Sequence, residues 1–562
     1  MRRSRLTVVA TAVLLLLPGT VAARVETMQA PATEYVVLYA DGASLASAHA
    51  AVLAAHGSIV RENTRVGVAT VRSSNPGFLR AVAGQSALAG AARNMPVGRR
   101  APLARPNRDM VEALTAAEQA AARAGAKPKP KPGAEPLAGL QWDLAMMHAT
   151  PDGSYKKQPG AKGVRVGIID TGVDGTHPDI APNFDAALSR NFTTDIESID
   201  GPCEYASCVD PANVDNDGHG THVAGSIGAA LNGIGIAGVA PNVTLVNIRA
   251  GQDSGYFFLQ PSVDALTYAG DNGIDVVNMS YFIDPWLYNC AANPADSAEQ
   301  QMEQQTIIKA TNRALDYAWK HGVTLISAEG NEHTDIGHPT VDDISPDFPP
   351  GTEYLRDVDN SCLTMPSEGH HVIAVGAVGP STIKADYSNW GLERTKVTAP
   401  GGYYRDYAGT SKNRTVGNLI LSAYPESLAL EFGDIDFPGG PSNTPFVVRD
   451  CQGATCAYYQ YLQGTSMASP HAVGVAALIV SQFGHPDGGK KGQLGMSPKD
   501  VEKILTRTAT DHACPVPALI DYTIPGRDRP AEFNALCTGN ARFNSIWGDG
   551  IVDALAAVTD KQ

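Results

Sequence analysis

A carboxylate, an imidazole and a hydroxyl stand in separate glycine-bearing segments of this sequence, at Asp170, His219 and Ser466. In that combination a serine oxygen can attack a carbonyl carbon, the imidazole can take the serine proton, and the carboxylate can hold the imidazole in the required tautomer. We therefore predict nucleophilic catalysis by these three side chains, provided that the fold brings them together.

Two secondary-structure elements are predicted to position the carboxylate and the hydroxyl. The apolar run 164–169 indicates a buried strand that ends at Asp170, and in open α/β sheets functional groups gather at the carboxyl ends of strands. Pro470 suits a first helical turn, and the apolar residues 472–480 continue as a buried helix. Ser466 then lies at the N-terminal end of that helix, where free N–H groups favour negative charge.

The histidines and the serine could also have other roles, namely metal binding and helix capping. His219 and His222, at positions i and i+3, could ligate a metal, but no glutamate lies between them as in H-E-x-x-H and no cysteine is spaced for zinc. His222 is instead predicted to be a packed helical histidine. Ser466 alone would be interpreted as a helix cap, but the Asp-Gly turn and the glycine-flanked histidine in the same chain favour catalysis.

The segments Asp170-Thr-Gly, His219-Gly-Thr-His and Gly464-Thr-Ser-Met-Ala-Ser-Pro resemble the three active-site motifs of the subtilisin family of serine proteases, in the same chain order. In α/β-hydrolases the order is Ser, Asp, His, and sedolisin-type peptidases use a glutamate in place of His219. The resemblance implies a three-layer α/β catalytic domain with a mostly parallel sheet. It also implies endopeptidase activity on protein or peptide substrates, with no cofactor for the chemistry.

Further segments are similar to the substrate-binding parts of that family. Residues 323–331 form a predicted strand and a Gly-Asn turn, and the resemblance makes Asn331 the side-chain donor of an oxyanion hole beside the Ser466 N–H. The strand at 275–280 continues into Tyr-Phe-Ile, where the family usually has Leu-Gly-Gly. The substrate-binding residues that the resemblance implies are Ser280, Tyr281, Phe282, Ala328, Glu329 and Gly330.

A structural calcium ion is common in the family, and two residues match positions that often serve it. They are Asp179, in His-Pro-Asp-Ile, and Asn232, in Leu-Asn-Gly-Ile-Gly-Ile. Oxygen ligands suit this ion. The alternatives are an aspartate that caps a helix and an asparagine in a turn.

The first residues of the chain have the order of a secretory signal. Arg2, Arg3 and Arg5 precede an apolar run and then Val21-Ala22-Ala23, after which we expect cleavage. The apolar run is too short to span a bilayer, which needs about 20 residues. Residues 1–23 are therefore predicted to be a signal peptide, and the mature protein is expected to be secreted, with no membrane anchor.

Residues 24–97 read as a small α+β unit, and their element order resembles the ferredoxin-like inhibitory propeptide of the family. Residues 98–139 follow as a helical segment, 109–124, and a linker of alternating Lys and Pro, which stays extended. Residues 140–562 are the expected peptidase domain. The elements predicted for the small unit are strands at 35–39, 59–60 and 66–71 and helices at 43–56 and 76–88.

Charge is unevenly distributed along the chain. The formal net charge is −15, with +9 in residues 1–140 and −24 in residues 141–562. An acidic balance disfavours nucleic acid as a partner, and opposite signs favour docking of the propeptide on the domain that it inhibits. We expect a monomer. The alternative function class is a catalytically silent binding protein, which a serine-directed reagent would leave unlabelled at Ser466.

All eight cysteines lie in the acidic part of the chain. An even number in an exported protein favours four disulfides, although spacing does not fix their pairing. Insertions at about 284–306, 333–365 and 403–462 are expected to be disulfide-bearing loops at the rim of the cleft. The favoured pairs are the local Cys203–Cys208 and Cys451–Cys456, with Cys514–Cys537 and Cys290–Cys362 remaining.

Overall fold

The structure, a computed structural model, describes residues 32–94, 135–486 and 493–561. Residues 32–94, here called the N-terminal unit, form an antiparallel sheet in the order β2-β3-β1-β4 with two helices on one face. The main domain comprises the other two ranges. The elements of the N-terminal unit are β1 (Thr33–Tyr39), α1 (Leu45–Ala54), β2 (Ser58–Asn63), β3 (Val68–Ser73), α2 (Phe78–Ala83) and β4 (Leu88–Arg93).

The single helix predicted at 76–88 is wrong in its second half. Helix α2 ends at Ala83, and the alanine-rich segment Leu88–Arg93 pairs with β1 as a fourth strand. Gly84, a weak helix former, follows the last residue of α2 as its C-cap, and β4 overlaps the predicted helix only at Leu88. In β4 the Gly90 backbone approaches the main domain so closely that a Cβ there would lie 2.4 Å from Thr306 Oγ1.

Sixteen further strands occur in the described part of the main domain. Seven of them form a fully parallel sheet in the order β13-β12-β9-β8-β5-β7-β6. The strands are β5 (Arg165–Ile169), β6 (Arg190–Asn191), β7 (Thr244–Arg249), β8 (Val276–Met279), β9 (Thr324–Ala328), β10 (Val341–Asp342), β11 (Arg356–Asp357), β12 (Val372–Val378), β13 (Val397–Pro400), β14 (Ile420–Tyr424), β15 (Val447–Gln452), β16 (Thr455–Leu462), β17 (His485–Pro486), β18 (Leu494–Gly495), β19 (Leu519–Ile520) and β20 (Ala535–Leu536).

Helices cover both faces of the parallel sheet, which confirms the predicted three-layer α/β architecture. Alternate residues of β5 point to opposite faces: Val166 and Ile168 pack with α4 and α8, whereas Ile169 packs with α5 and α6. The α-helices of the main domain are α3 (Trp142–Met146), α4 (His219–Gly228), α5 (Leu259–Asp271), α6 (Ala298–Lys320), α7 (Glu426–Glu431), α8 (Thr465–Phe483), α9 (Pro498–Arg507) and α10 (Ala554–Thr559).

Helix α8 passes through the centre of the main domain. It is long and apolar enough to cross a membrane, yet 89% of its most apolar window is buried inside the protein. That burial is typical of the core helix of a globular domain, which passes the same hydropathy test. Gly464 precedes its first turn with an extended backbone, so the chain enters the helix abruptly from β16.

The N-terminal unit docks on helices α5 and α6 through the uncovered face of its sheet. Along β1, Val37 and Tyr39 pack under the unit's own helices, whereas Val36 and Leu38 join the apolar core that α5 and α6 share with the main sheet. A four-stranded sheet has two faces to bury. The second face of this unit is therefore buried by the main domain.

Ion pairs surround that apolar contact. Arg93 of β4 donates to Glu303 Oε1 at 3.0 Å, and the Glu303 carboxylate is nearly buried. Arg65 pairs with Asp271 at 3.2 Å. Most of the cations come from the N-terminal unit and most of the anions from the main domain, as the charge distribution along the sequence predicts.

Several predictions concern residues outside the described ranges. These are the signal peptide at 1–23, the helical segment at 109–124 and the Lys/Pro linker. The main domain itself begins earlier than the predicted residue 140. Leu137 N–H donates to Gly235 O at 2.7 Å, and Glu135 Oε2 accepts the Gly233 N–H at 2.8 Å, so this segment is part of the main domain.

All four expected disulfides are present, which confirms the pairing. The bond between Cys290 and Cys362 ties two of the predicted insertions together. Beside it Arg356, fully buried, donates to Asp296 at 3.0 Å and to Asp342 at 2.5 Å. A buried arginine needs such partners to offset the loss of hydration. The arginine and the disulfide therefore hold the two insertions together as one packed unit.

Candidate active site

Asp170 and His219 form a buried hydrogen-bonded pair at the carboxyl edge of the parallel sheet. Asp170 is the first residue after β5, and its Oδ1 accepts the His219 Nδ1–H at 2.7 Å. Burial acts to lower the pKa of His219, but the Asp170 carboxylate outweighs it and raises that pKa above the ordinary value. The pair therefore fixes the tautomer that leaves Nε2 able to accept a proton.

The first turn of α4 fixes the position of His219. Gly218 precedes it with φ of +98°, a left-handed conformation that favours glycine. Asp215 then caps the turn, because one oxygen accepts the Gly218 N–H at 2.9 Å and the other accepts the Thr221 N–H at 2.9 Å. A carboxylate at a helix N-terminus is electrostatically favourable. Asp215 is thus a positioning residue for His219 that motif matching alone did not single out.

Ser466 lies in the first turn of α8, as the sequence predicts, and is buried. Its Oγ donates to Ser280 O at 3.5 Å, while Ser280 Oγ donates to Ser466 O at 3.2 Å. These contacts hold the start of α8 at the end of β8, which neighbours β5 in the sheet. Within the described ranges, His219 Nε2 has no hydrogen-bond partner in this state. Catalytic hydrogen bonds are often loose before substrate binds.

Asn331 follows β9 at the same edge of the sheet, and its amide is held in one orientation. Thr465 donates to Asn331 Oδ1 from its backbone N–H at 2.9 Å and from its hydroxyl at 3.0 Å. Because both contacts come from donors, the atom that accepts them must be the amide oxygen. The Nδ2 donor end of Asn331 is therefore on the far side of the amide from Thr465.

A single pocket collects the residues that the resemblance implied for substrate binding. Ser466 and Asn331 line it together with all six of them. Five further lining residues were not predicted, and two of them, Leu287 and Thr364, come from the insertions. The complete lining is Ser280, Tyr281, Phe282, Leu287, Ala328, Glu329, Gly330, Asn331, Glu332, Thr364, Ser367, Thr465 and Ser466.

Two of these residues have side chains that are engaged elsewhere. The Tyr281 ring is 5% exposed and stacks on Phe257 with 4.1 Å between ring centroids. The Glu329 carboxylate accepts the Thr395 hydroxyl at 2.5 Å and is fully buried, which raises its pKa to about 8. A Cβ on Gly376 would lie 2.9 Å from Glu329 Oε2, so that carboxylate is turned towards β12.

His222 is buried one turn after His219, and its Nε2 contacts the carbonyl oxygen of Gln460 at 3.0 Å. Burial lowers the pKa of His222 to about 3, so it stays neutral at physiological pH. His219 is bound to Asp170 and His222 to backbone, so the two rings are not arranged as a metal pair. This agrees with the prediction of a packed helical histidine.

Asp179 and Asn232, the residues that the resemblance implied for calcium, lie close together in the structure. Asp179 Oδ2 accepts the Tyr459 hydroxyl at 2.7 Å and the Ile236 N–H at 3.1 Å. Asn232 Oδ1 accepts the Ile234 N–H at 3.2 Å, and its amide donates to a backbone carbonyl. Asp179 Oδ1 is buried and has no hydrogen-bond partner within the described ranges. Calcium at this position stays a prediction.

The comparisons with known proteins agree with this geometry. A family profile described as the Subtilase family matches residues 161–524. Subtilisin DY of Bacillus licheniformis is 29% identical over 354 residues, which are 63% of this chain and 86% of that protein. Fervidolysin of Fervidobacterium pennivorans is 26% identical over 392 residues, 67% of this chain and 41% of its own length. This chain thus spans less than half of fervidolysin.

Solved structures share the fold. The epidermin leader peptide processing serine protease of Staphylococcus aureus superposes with a TM-score of 0.58 at 19% identity, covering 95% of this chain and 100% of that one. The crystal structure of fervidolysin gives 0.57 at 21% identity, covering 95% and 62%. The family profile covers well over half of the sequence, and the sheet, helices and motif order match. The chain belongs to the subtilase family and is a subtilisin-like serine endopeptidase.

Proposed function

We propose that Asp170, His219 and Ser466 are the catalytic triad of a secreted serine endopeptidase that is made as a self-inhibited zymogen. The observation that carries the proposal is the buried contact of 2.7 Å between His219 Nδ1 and Asp170 Oδ1, at the sheet edge where α8 presents Ser466. Protein or peptide chains are the substrates. No cofactor is needed, since the three side chains supply both nucleophile and base.

The reaction follows from the order of these groups. His219 Nε2 takes the Ser466 hydroxyl proton as Oγ bonds to the peptide carbonyl carbon, and Asp170 stabilises the imidazolium that forms. The same proton passes to the leaving amine when the C–N bond breaks, which leaves an acyl ester on Ser466. Water then attacks the ester with His219 again as base, and the acid product leaves with the serine hydroxyl restored.

Negative charge on the carbonyl oxygen is met by two donors in this proposal. The backbone N–H of Ser466 belongs to the first turn of α8, where N–H groups lack partners within the helix. Asn331 adds its amide nitrogen, because its oxygen is occupied by Thr465. A donor that is fixed before the charge develops costs no reorganisation during the reaction.

The zymogen proposal rests on how the N-terminal unit docks. One face of its sheet is buried against α5 and α6, and arginines of the unit meet acids of the main domain around that contact. Secretion is supported by the four disulfides, which persist in oxidising compartments. The unit would dissociate once the segment that links it to the main domain is cut.

The substitution Ser466→Ala tests the triad. We expect hydrolysis to fall by about 10⁶, the magnitude known for loss of the serine in this family, and the proregion to remain covalently attached. Peptide hydrolysis and the mass of the purified chain are the measurements. Ser481→Ala removes a buried hydroxyl near the other end of the same helix and should process normally. Normal turnover by Ser466→Ala would contradict the proposal.

The pH dependence of the mature enzyme tests the role of His219. The imidazole must be neutral to act as base, and its pKa is raised above the ordinary 6.5, so activity is lost as pH falls through a value above 6.5. Measurement of kcat/KM against pH gives this midpoint for the free enzyme. Two peptides that differ in P1 should share it. A midpoint below 6.5 for both would be inconsistent with the Asp170–His219 pair.

The role of Asn331 is tested by two variants. Asn331→Ala removes the proposed oxyanion donor, and we expect kcat to fall by about 10²–10³, the magnitude adopted from this family, with KM little changed. Asn331→Asp keeps an acceptor for the Thr465 N–H but not the donor, so it should be no better. If Asn331→Asp restored turnover, Asn331 would be a cap for α8 and not an oxyanion donor.

Docking of the N-terminal unit is tested with the proregion added in trans to mature enzyme. Arg93→Ala leaves Glu303 buried without its partner, and we expect the inhibition constant to rise by roughly 30-fold, or about 2 kcal/mol. Arg72→Ala is the matched control, because Arg72 pairs with Glu34 inside the unit. Added salt should also weaken inhibition. Equal effects of the two variants would refute the docking contact.

A further inference from the structure

Asn389 lies in the loop between β12 and β13, beside the segment that carries Asn331, and is 3% exposed. Its side-chain oxygen accepts the N–H groups of Glu332 at 3.1 Å and of Thr334 at 2.9 Å. Its side-chain nitrogen donates to Glu329 O at 3.2 Å and to Glu332 Oε2 at 2.5 Å. One buried amide therefore makes four hydrogen bonds to the residues that flank Asn331.

The chemistry of these contacts fixes the orientation of the Asn389 amide. Both partners of its oxygen are N–H donors and both partners of its nitrogen are acceptors, so all four hydrogen-bonding positions of the amide are used. The backbone N–H of Asn389 adds a further contact, to Gly330 O at 3.0 Å. A buried polar network in which every member is satisfied is rigid, so these contacts hold the loop in one conformation.

The loop needs such support because its backbone turns sharply on each side of Asn331. Gly330 has φ of +112° and His333 has φ of +49°, and both values lie in the left-handed region. A Cβ on Gly330 would lie 2.3 Å from Asn389 Nδ2, so the loop wraps closely around that amide. Asn331 is thus held through its backbone neighbours by Asn389 and through its own side-chain oxygen by Thr465.

We infer that Asn389 is a positioning residue for the oxyanion donor and that it acts on turnover through Asn331. The inference rests on the proposed function, in which the Asn331 amide meets the negative charge on the carbonyl oxygen. Such a donor must be fixed before the charge develops, and a displacement of about 1 Å can cost about 10²-fold in rate. Asn389 is not among the described residues that line the pocket, and it takes no part in the chemical steps.

The test measures turnover of the mature enzyme in a cycle of two substitutions, with the amount of active enzyme titrated by a serine-directed reagent. Asn389→Asp keeps the side-chain volume and the two acceptor contacts but loses both donor contacts, and it places a second carboxylate beside Glu332. We expect kcat to fall by about ten-fold or more while KM changes much less. In enzyme that already carries Asn331→Ala, the same substitution should change kcat by less than about two-fold, because the amide that it would displace is absent.

Inhibition by a peptide aldehyde gives a readout that a general structural role would not change. The adduct of the aldehyde with Ser466 carries the tetrahedral oxygen of the transition state, whereas a peptide product binds without one. Asn389→Asp should weaken binding of the aldehyde by the same factor by which kcat falls and leave the affinity for the product nearly unchanged. Asn389→Ser adds no charge and should show the same pattern, which keeps the test decisive if Asn389→Asp folds poorly.

Asn544 provides a matched control, because its amide holds a different loop in the same way. It is 1% exposed, its side-chain oxygen accepts two backbone N–H groups at 3.1 and 2.9 Å, and its nitrogen donates to two carbonyl oxygens at 2.7 and 3.1 Å. Asn544 is not among the described residues that line the pocket. Asn544→Asp should therefore leave kcat unchanged.

The outcomes separate this inference from the proposed function. An equal loss of kcat in Asn544→Asp would overturn the inference, and so would an equal loss from Asn389→Asp with and without Asn331→Ala. Unchanged kcat in Asn389→Asp would overturn it as well. Full turnover by Asn331→Ala alone would instead reject the proposed oxyanion donor, and the positioning role of Asn389 with it.

Discussion

The geometry of the site depends on one constraint, the convergence of neighbouring strand ends at the carboxyl edge of a parallel sheet. Strands β5, β8 and β9 are consecutive neighbours, and Asp170, Ser280 and Asn331 all lie just beyond their ends. Neighbouring strands are about 4.8 Å apart. Three chemically different groups therefore lie close together although each side chain stays near its own strand. Helices α4 and α8 complete the site because both begin at the same edge of the sheet.

This constraint explains which parts of the site could be predicted from the sequence. The residues that follow β5, β8 and β9, and the first turns of α4 and α8, are short contiguous motifs, so their positions in the candidate site could be predicted from local sequence. All six predicted substrate-binding residues line one pocket with Ser466. Two further residues lie inside or beside those motifs. A search for helix caps could have found Asp215, and a search for charged residues next to Asn331 could have found Glu332.

Other features could not be predicted because they depend on tertiary packing. Thr364 reaches the pocket from an insertion whose path is set by a disulfide and by the buried Arg356, and Ser367 follows just after that insertion. The alanines of β4 have a helical preference, and only pairing with β1 makes them a strand. Neighbours from distant segments likewise decide the surroundings of Asp179, whose carboxylate accepts the Tyr459 hydroxyl. A local match to a family motif carries no information on such partners.

The strongly acidic main domain raises the question of how so many carboxylates are accommodated, and the structure shows different solutions. Some are bound by buried arginines, as Asp342 is by Arg356, and Asp215 accepts the N–H groups of a helix start. Others, such as Glu303, lie at the contact with the cationic N-terminal unit and are paired with its arginines. Asp195 has none of these partners within the described ranges. A carboxylate that stays buried must be neutralised by a proton or a cation, and at the contact with α5 and α6 the arginines of the N-terminal unit supply such cations to the main domain.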